Sequence, residues 1–423
     1  MAACEQLINQ YGKTNTRTSL FDDAENRQMN YDEGSTTMRL RSRAVMGSAL
    51  LAVAAMIVAS CGSASTGNEA TTAQGASSEQ ATSAPAQESS TGGSTESAQA
   101  AGSSSEAAKP SYTLEIGQIS KSVAFFPIFV ARDKGYFQEE GLTVNEPTLL
   151  GSGAKLAAAL VSESIEVGGG VMTDAFNTAN AGHSVGVIAN LVGQYYVDII
   201  VGNNAKVAPD DAPLDEKIKS LAGLRIGITG PGSGNEALVK YLFSLVGMDS
   251  ATDVTLVNLG AQATAVVGAL KNNQVDALSF FQPIGQEVEA QQLGKIYISP
   301  ARGDVPDIEG QAHGVAMASA KAMAEKPDAL VAYIKAIAKA EAFIHSADPS
   351  EVEAELAKYE GNMDPATVKA LVPTLQSEIP ETPEVTQKGY DMATHFHEAA
   401  GMIKSAPAYD QLVQTGLIQK ALG

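Results

Sequence analysis

The chain has 423 residues, with 28 Lys and Arg against 48 Asp and Glu, a net charge of −20, two cysteines and no tryptophan. So acidic a chain is a poor partner for nucleic acid, because phosphate binding relies on Lys and Arg. The same charge suits an exported soluble body held off an anionic membrane surface.

In chain order, Met1 to Thr37 is polar and of mixed charge. Arg39, Arg41 and Arg43 then precede an uncharged apolar stretch from Ala44 to Ser60. A basic region, an apolar region and small residues at a cleavage point make a secretory signal, expected over 38–60. Val58-Ala59-Ser60-Cys61 resembles the lipobox of bacterial lipoproteins. That resemblance implies that the Cys61 thiol receives a lipid and that cleavage leaves Cys61 as the new N-terminus. The competing reading is a short membrane anchor, since ~17 apolar residues is the lower limit for spanning a bilayer. Residues 1–37 fit neither reading, and a translation start at Met38 or an unusually long basic region accounts for them. Removing residues 1–60 leaves 22 basic against 42 acidic residues, still −20. No cysteine follows Cys61. Disulfides, thiolate metal sites and cysteine nucleophiles are thereby excluded from the rest of the chain.

From Cys61 to Ser111 the chain is Ser, Thr, Ala, Gly and Gln with scattered Glu. It cannot bury enough apolar surface to offset ordering entropy and is expected to be disordered. As a coil of about 50 residues it reaches on the order of 40 Å, which suits a tether. A glycosylated stalk is the other reading of this composition. About 310 residues remain, enough for two lobes.

Tyr112 to Gly117 alternates like a strand. Pro127 to Phe137 reads as a helix. A strand at Gly141–Val144, the loop Gly151-Ser152-Gly153, a helix from Ala154 to Ser162 and a buried strand from Ile165 to Val171 follow. The same order returns downstream, beginning with the strand Leu224–Thr229, the loop Gly230-Pro-Gly-Ser-Gly234 and the helix Asn235–Leu245. The strand Val254–Val257, a helix ending at Leu270 and a strand starting at Val275 complete it. Alternating strands and helices predict parallel sheets with crossover helices, in two similar lobes. Ligands bind beyond the carboxyl ends of such strands. Both Gly-Ser-Gly loops lie there, each at a helix N-terminus that favours an anionic or hydrogen-bond-accepting group. Each loop alone is equally a structural turn, and neither is a nucleotide-binding loop. Beyond Pro327 the chain reads as helices, with Leu330, Ile334, Ile337 and Ile344 at helical spacing.

The segments from Phe125 to Val144, Leu156 to Gly170, Leu224 to Gly247 and Asp253 to Pro283, with the helix after Pro327, resemble the substrate-binding proteins of bacterial ATP-driven (ABC) importers. The nearest branch is the nitrate/sulfonate/taurine type, which includes binders of a thiamine pyrimidine precursor. The resemblance implies an α/β bilobal periplasmic-binding-protein-like fold (type II), with crossings near Tyr195–Val201 and His313–Met317. Lobe one would hold residues 112–198 and the return 313–423 with the C-terminal helices; lobe two would hold 199–312. It implies contacts from Ser120, Lys121 and Phe125, from Ser152 and Gly153, from Thr173 and Asp174, and from Gln194 and Tyr195 in the first lobe and crossing. The second lobe would offer Ser233, Gly234 and Asn235, then Gln262, then Phe281 and Gln282. Phe125, Tyr195 and Phe281 are equally readable as core aromatics. It also implies an ABC transporter permease as partner, a monomer, no cofactor and no catalysis.

His395-Phe-His397 has the look of a metal pair, but residues two apart on a helix point to nearly opposite sides, and no metal is expected. His183 and His313 lie nearer the cleft and read as hydrogen-bonded structural histidines. The ligand is expected to be anionic, such as a sulfonate or carboxylate, or a flat heteroaromatic ring lying on one of the doublets Phe125-Phe126, Tyr195-Tyr196 and Phe280-Phe281. No arginine stands out as a cleft residue. Two other classes stay open: an enzyme on the same architecture, resembling thiamine-pyrimidine synthases but lacking their cysteine-rich segment, and a lipid-anchored sensor or adhesin.

Overall fold

The structure is a computed structural model that describes residues 111–423. The expected signal segment, Cys61 and the tether up to residue 110 lie outside the described residues. The chain begins with β1 (Tyr112–Leu114) and β2 (Ile116–Gln118), helices α1 (Phe126–Asp133) and α2 (Tyr136–Glu139), and strands β3 (Leu142–Val144) and β4 (Thr148–Leu149). Helix α3 (Gly153–Val161), strand β5 (Val167–Val171), helix α4 (Met172–Asn180) and strand β6 (Val185–Val192) follow. Next come β7 (Val197–Gly202), α5 (Leu214–Lys219), β8 (Arg225–Ile228), α6 (Gly234–Leu245) and β9 (Thr255–Asn258). After them stand α7 (Ala263–Lys271), β10 (Ala277–Phe281), α8 (Ile284–Ala290) and β11 (Gly294–Ile298). The chain ends with β12 (Gly314–Ser319), α9 (Ala320–Glu325), α10 (Pro327–Ser346), α11 (Pro349–Glu360), α12 (Pro365–Glu378), α13 (Gln387–Ala399), α14 (Tyr409–Leu412) and α15 (Thr415–Leu422). The expected helix from Pro127 to Phe137 is two helices, because Gly135 between them takes a left-handed turn at φ 78°.

Two five-stranded sheets carry the lobes, in the orders β4-β2-β5-β12-β6 and β9-β8-β10-β7-β11. The orders correspond strand for strand. Each has three parallel strands from its own βαβαβ run, then one strand (β12 or β7) antiparallel to both its neighbours, and beyond it an edge strand (β6 or β11). The sheets are therefore mixed, where a purely parallel pairing was expected. The cause is the two crossings, residues 193–196 and 299–313. Each returns the chain to a sheet from the opposite end, so β7 and β12 run against the strands beside them. The largely β-branched sequence of β7, Val197-Asp-Ile-Ile-Val201, suits an inner strand.

Strand β5 shows how close the packing is. It reads Val-Gly-Gly-Gly-Val and is buried throughout. A methyl on Gly168 or Gly170 would overlap Leu156 of α3, while one on Gly169 would stand 2.8 Å from the Phe125 ring on the other face. The glycines thus let α3 and the segment before α1 lie directly on the sheet, with side chains alternating between its faces. That close approach sets the N-terminus of α3 beside the first turn of α4.

The C-terminal helices pack on the first lobe, α10 on α1, α2 and α15, and α15 on β6. They also reach the second lobe: α13 packs on α6, and α12 on α8. Among the described residues no helix is long and apolar enough to cross a membrane.

Candidate functional site

Between the lobes, at the carboxyl ends of β2, β5, β8 and β10, lies a cavity of about 810 Å³, well within the size range of small-molecule sites. Both Gly-Ser-Gly loops line it, one from each lobe. They are not equivalents in the repeat. The loop at 151–153 opens the second helix of its run, and the loop at 230–234 opens the first.

Of the expected site residues, Ser120, Ser152, Gly153, Asp174, Ser233, Gly234, Asn235 and Phe281 line the cavity. Ser152 and Ser233 cap their helices, accepting from the N–H groups of Lys155 at 3.3 Å and Glu236 at 3.2 Å. Asn235 is a fastener: its Nδ2 donates to Ser279 O at 2.8 Å, its Oδ1 accepts from Thr229 at 2.9 Å, and its own carbonyl accepts from the Ser279 hydroxyl at 2.7 Å. The start of α6 is thereby pinned to β10.

The other expected residues lie elsewhere, each for a visible reason. Lys121 is exposed and holds its ammonium 5.4 Å from the Tyr359 ring centre. Phe125 is buried against the glycines of β5. Thr173 bonds His397 Nε2 at 2.7 Å on the far side of α4. Gln194 accepts from Gly310 N–H at 3.0 Å, tying the two crossings together. Tyr195 turns into the core and donates its hydroxyl proton to Gly234 O. Gln262 is exposed ahead of α7. Gln282 points away from the cleft to Glu378 Oε1 at 2.9 Å.

Lining residues that had not been singled out as contacts include the polar side chains of Asn177 and Thr178 on α4, Thr229, Tyr196, Asn258 and His313. Of the three aromatic doublets, Tyr196 and Phe281 face the cavity and the Phe125 pair does not.

His313 departs from the expected hydrogen-bonded structural histidine. It is 1% exposed, and neither ring nitrogen has a protein partner. The ring lies 4.1 Å from that of Tyr195 and 5.1 Å from that of Tyr196, so both crossings meet at it. Burial, with His397 nearby, pulls its pKa down to about 3, so the ring is neutral at neutral pH. The Ser120 hydroxyl is likewise buried without a partner. Asp174 is 6% exposed; its Oδ2 accepts from Val171 N–H at 3.0 Å. Burial pushes its carboxyl up to about 6 against that hydrogen bond. Among the described residues no Lys or Arg lines the cavity.

As expected, His395 and His397 point apart: His395 is exposed, and His397 is buried between Thr173 and the carbonyl of Ala393, 2.6 Å from its Nδ1. No group of three or more His, Cys, Asp or Glu able to hold a metal occurs among the described residues.

The NMT1-like family model matches residues 107–359, more than half of the chain. The chain belongs to the NMT1-like family. The resemblance read in the sequence is therefore correct at the level of family and of fold. YtlA of Bacillus subtilis (strain 168), named as a candidate binding protein, is 21% identical over 312 residues, which is 73% of this chain and 89% of YtlA. Among solved structures, the ligand-binding component of an ABC-type import system from Staphylococcus aureus, determined with zinc bound, superposes with a TM-score of 0.59 at 14% identity. It covers 73% of this chain and 99% of that one. The periplasmic nitrate-binding protein NrtA from Synechocystis PCC 6803 superposes with a TM-score of 0.57 at 17% identity, covering 73% of this chain and 88% of NrtA. These likenesses place the NMT1-like chain in the bilobal periplasmic-binding-protein fold.

Proposed function

We propose that this NMT1-like chain is the solute-capturing component of an ABC importer, carried on the outer face of the cell membrane by a lipid on Cys61. The observation that supports it most is the cavity between the lobes, lined by both sheets' carboxyl ends and by both crossings. A solute that touches both walls favours the closed arrangement by its differential contacts. A permease would read that closed form. The protein works as a monomer, with lobe boundaries near residues 198 and 312, and performs no chemistry on its cargo. Of the two solute classes read from the sequence, the anionic one is weakened, because among the described residues no Lys or Arg lines the cleft. The aromatic walls at Tyr196 and Phe281 support the heteroaromatic one.

A thermal-shift screen of small metabolites against the purified protein tests the reading. At least one is expected to raise the melting temperature and to be recovered unchanged. A conversion product would instead favour an enzyme, and no binder at all would remove the solute-capturing role. For the anchor, mass spectrometry of the protein from its native membrane is expected to find an acylated N-terminal Cys61. Cys61→Ala is expected to release the protein or block its processing.

A further inference from the structure

The charges of the cleft are arranged against the solute class that its two helix ends would ordinarily favour. A helix N-terminus draws anions through its free N–H groups and dipole. Here the chain has put its own carboxylates there. Asp174 lies against Gly153, the first residue of α3, so closely that a methyl on Gly153 would overlap its carboxylate. Glu236 on α6 folds back to accept from Gly232 N–H. Among the described residues Asp174 is the one acid in the cavity lining. The lining histidines are His183 at the exposed rim and the buried, neutral His313.

We propose, resting on the solute-binding reading above, that the solute is an amine whose protonated nitrogen sits on Asp174 and whose apolar body lies along α3 toward Phe281. The face of α3 that lines the cavity offers Ala154, Ala157, Ala158 and Val161 for that body. The Asp174 carboxylate has a hydrogen bond only from Val171 N–H and no cation beside it, and burial raises its pKa despite that bond. An ammonium supplies the counter-charge; an anion would meet the Asp174 carboxylate, with only the helix ends to offset the repulsion. The unpartnered side chains of His313 and Ser120, both buried on the cavity wall, orient a neutral polar group elsewhere on the solute.

Benzylamine, benzyl alcohol and phenylmethanesulfonate share one skeleton and differ in the charge of the head. Titration calorimetry on the full chain is expected to show benzylamine bound about ten- to hundredfold tighter than the alcohol, the advantage of a charged hydrogen bond, with no heat from the sulfonate. Asp174→Asn keeps an acceptor for Val171 N–H and is expected to bring benzylamine down to the alcohol's affinity. The inference is overturned if the sulfonate or the alcohol matches the amine, if benzylamine is silent at millimolar concentration, or if Asp174→Asn leaves it unchanged. The wild-type series decides by itself if the variant does not fold. Binding of the sulfonate would sink the amine while leaving solute capture standing. Only failure of the whole metabolite screen removes both.

Discussion

Gly153 and Gly234 looked alike in the sequence, each closing a Gly-Ser-Gly loop at a helix start, yet the structure gives them different tolerances. A methyl at 153 meets the Asp174 carboxylate, whereas one at 234 stands 3.4 Å from Thr173 Oγ1 and Tyr195 Oη and 3.5 Å from the His313 ring. Gly153→Ala is expected to cost about 1–3 kcal/mol, the usual penalty of overpacking, and to weaken solute binding by displacing Asp174. Gly234→Ala is expected to stay within about 1 kcal/mol, since its neighbours are at ordinary contact distance. Urea denaturation of the two variants checks the order, and equal costs would contradict it. At this scale the Gly-Ser-Gly loops were legible, because glycine punctuation at a helix start marks them, whereas Asp174 came only with the family resemblance. His313, Tyr196 and Asn177 were not legible, because a side chain's facing depends on where the crossings and α4 come to rest. Lys121 misled for the same reason: one residue beyond Ser120, it turns to Tyr359 rather than into the cleft.

Among the elements, the repeated βαβαβ order was legible from alternation and glycine punctuation. The antiparallel strands β7 and β12 were not, since their partners are distant in sequence. The C-terminal helices were legible as helices, but amphipathic patterning does not say which surface each will cover. Two of them fasten the lobes together. Phe396 on α13 packs on Tyr195 of the first crossing at 4.7 Å and on Tyr241 of α6 at 4.8 Å, while its neighbour His397 holds Thr173 of the first lobe. At the end of α12, Glu378 accepts from Gln282 of the second lobe, and its own carbonyl accepts from Gly193 N–H of the first crossing. Glu378 and Asp198 on β7 are buried without a paired cation. Burial lifts Asp198 to about 7; burial and then the charge of Asp198 lift Glu378 to about 8. Both values exceed those of the unfolded chain, roughly 4. Their contribution to stability is therefore full below about pH 4 and lost as pH rises through 7 to 8. His397, pulled down to about 4 chiefly by burial, acts oppositely: its contribution is full above about 6.5 and lost as pH falls through 4. Urea unfolding is expected to show stability falling from about pH 6 to 8 and levelling off above that, with Glu378→Gln flattening the fall. An unchanged slope in the variant would mean that Glu378 does not titrate in this range.

For the molecule as a whole, closure depends on what joins the lobes across the cleft mouth as well as at the hinge. Asn177 of α4 donates from Nδ2 to Gly232 O in the second lobe's loop, at 2.9 Å and in an exposed position. A hydrogen bond of this kind contributes about 0.5–1.5 kcal/mol net. That is enough to shift a closed-to-open ratio by about two- to tenfold, and too little to decide whether the chain folds. Phe396 differs, because its packing belongs to the core at the crossings; Phe396→Ala would cost about 3–5 kcal/mol of global stability. Asn177→Ala is therefore expected to leave urea unfolding within about 0.5 kcal/mol of the parent. The solute-free variant should nevertheless show a larger radius of gyration in solution scattering. Adding a solute found in the thermal-shift screen should bring parent and variant to the same compact radius, because the solute's contacts to both walls replace the missing latch. A variant whose solute-free radius equals that of the parent would show that the crossings and the α12–α13 fasteners alone hold the lobes together.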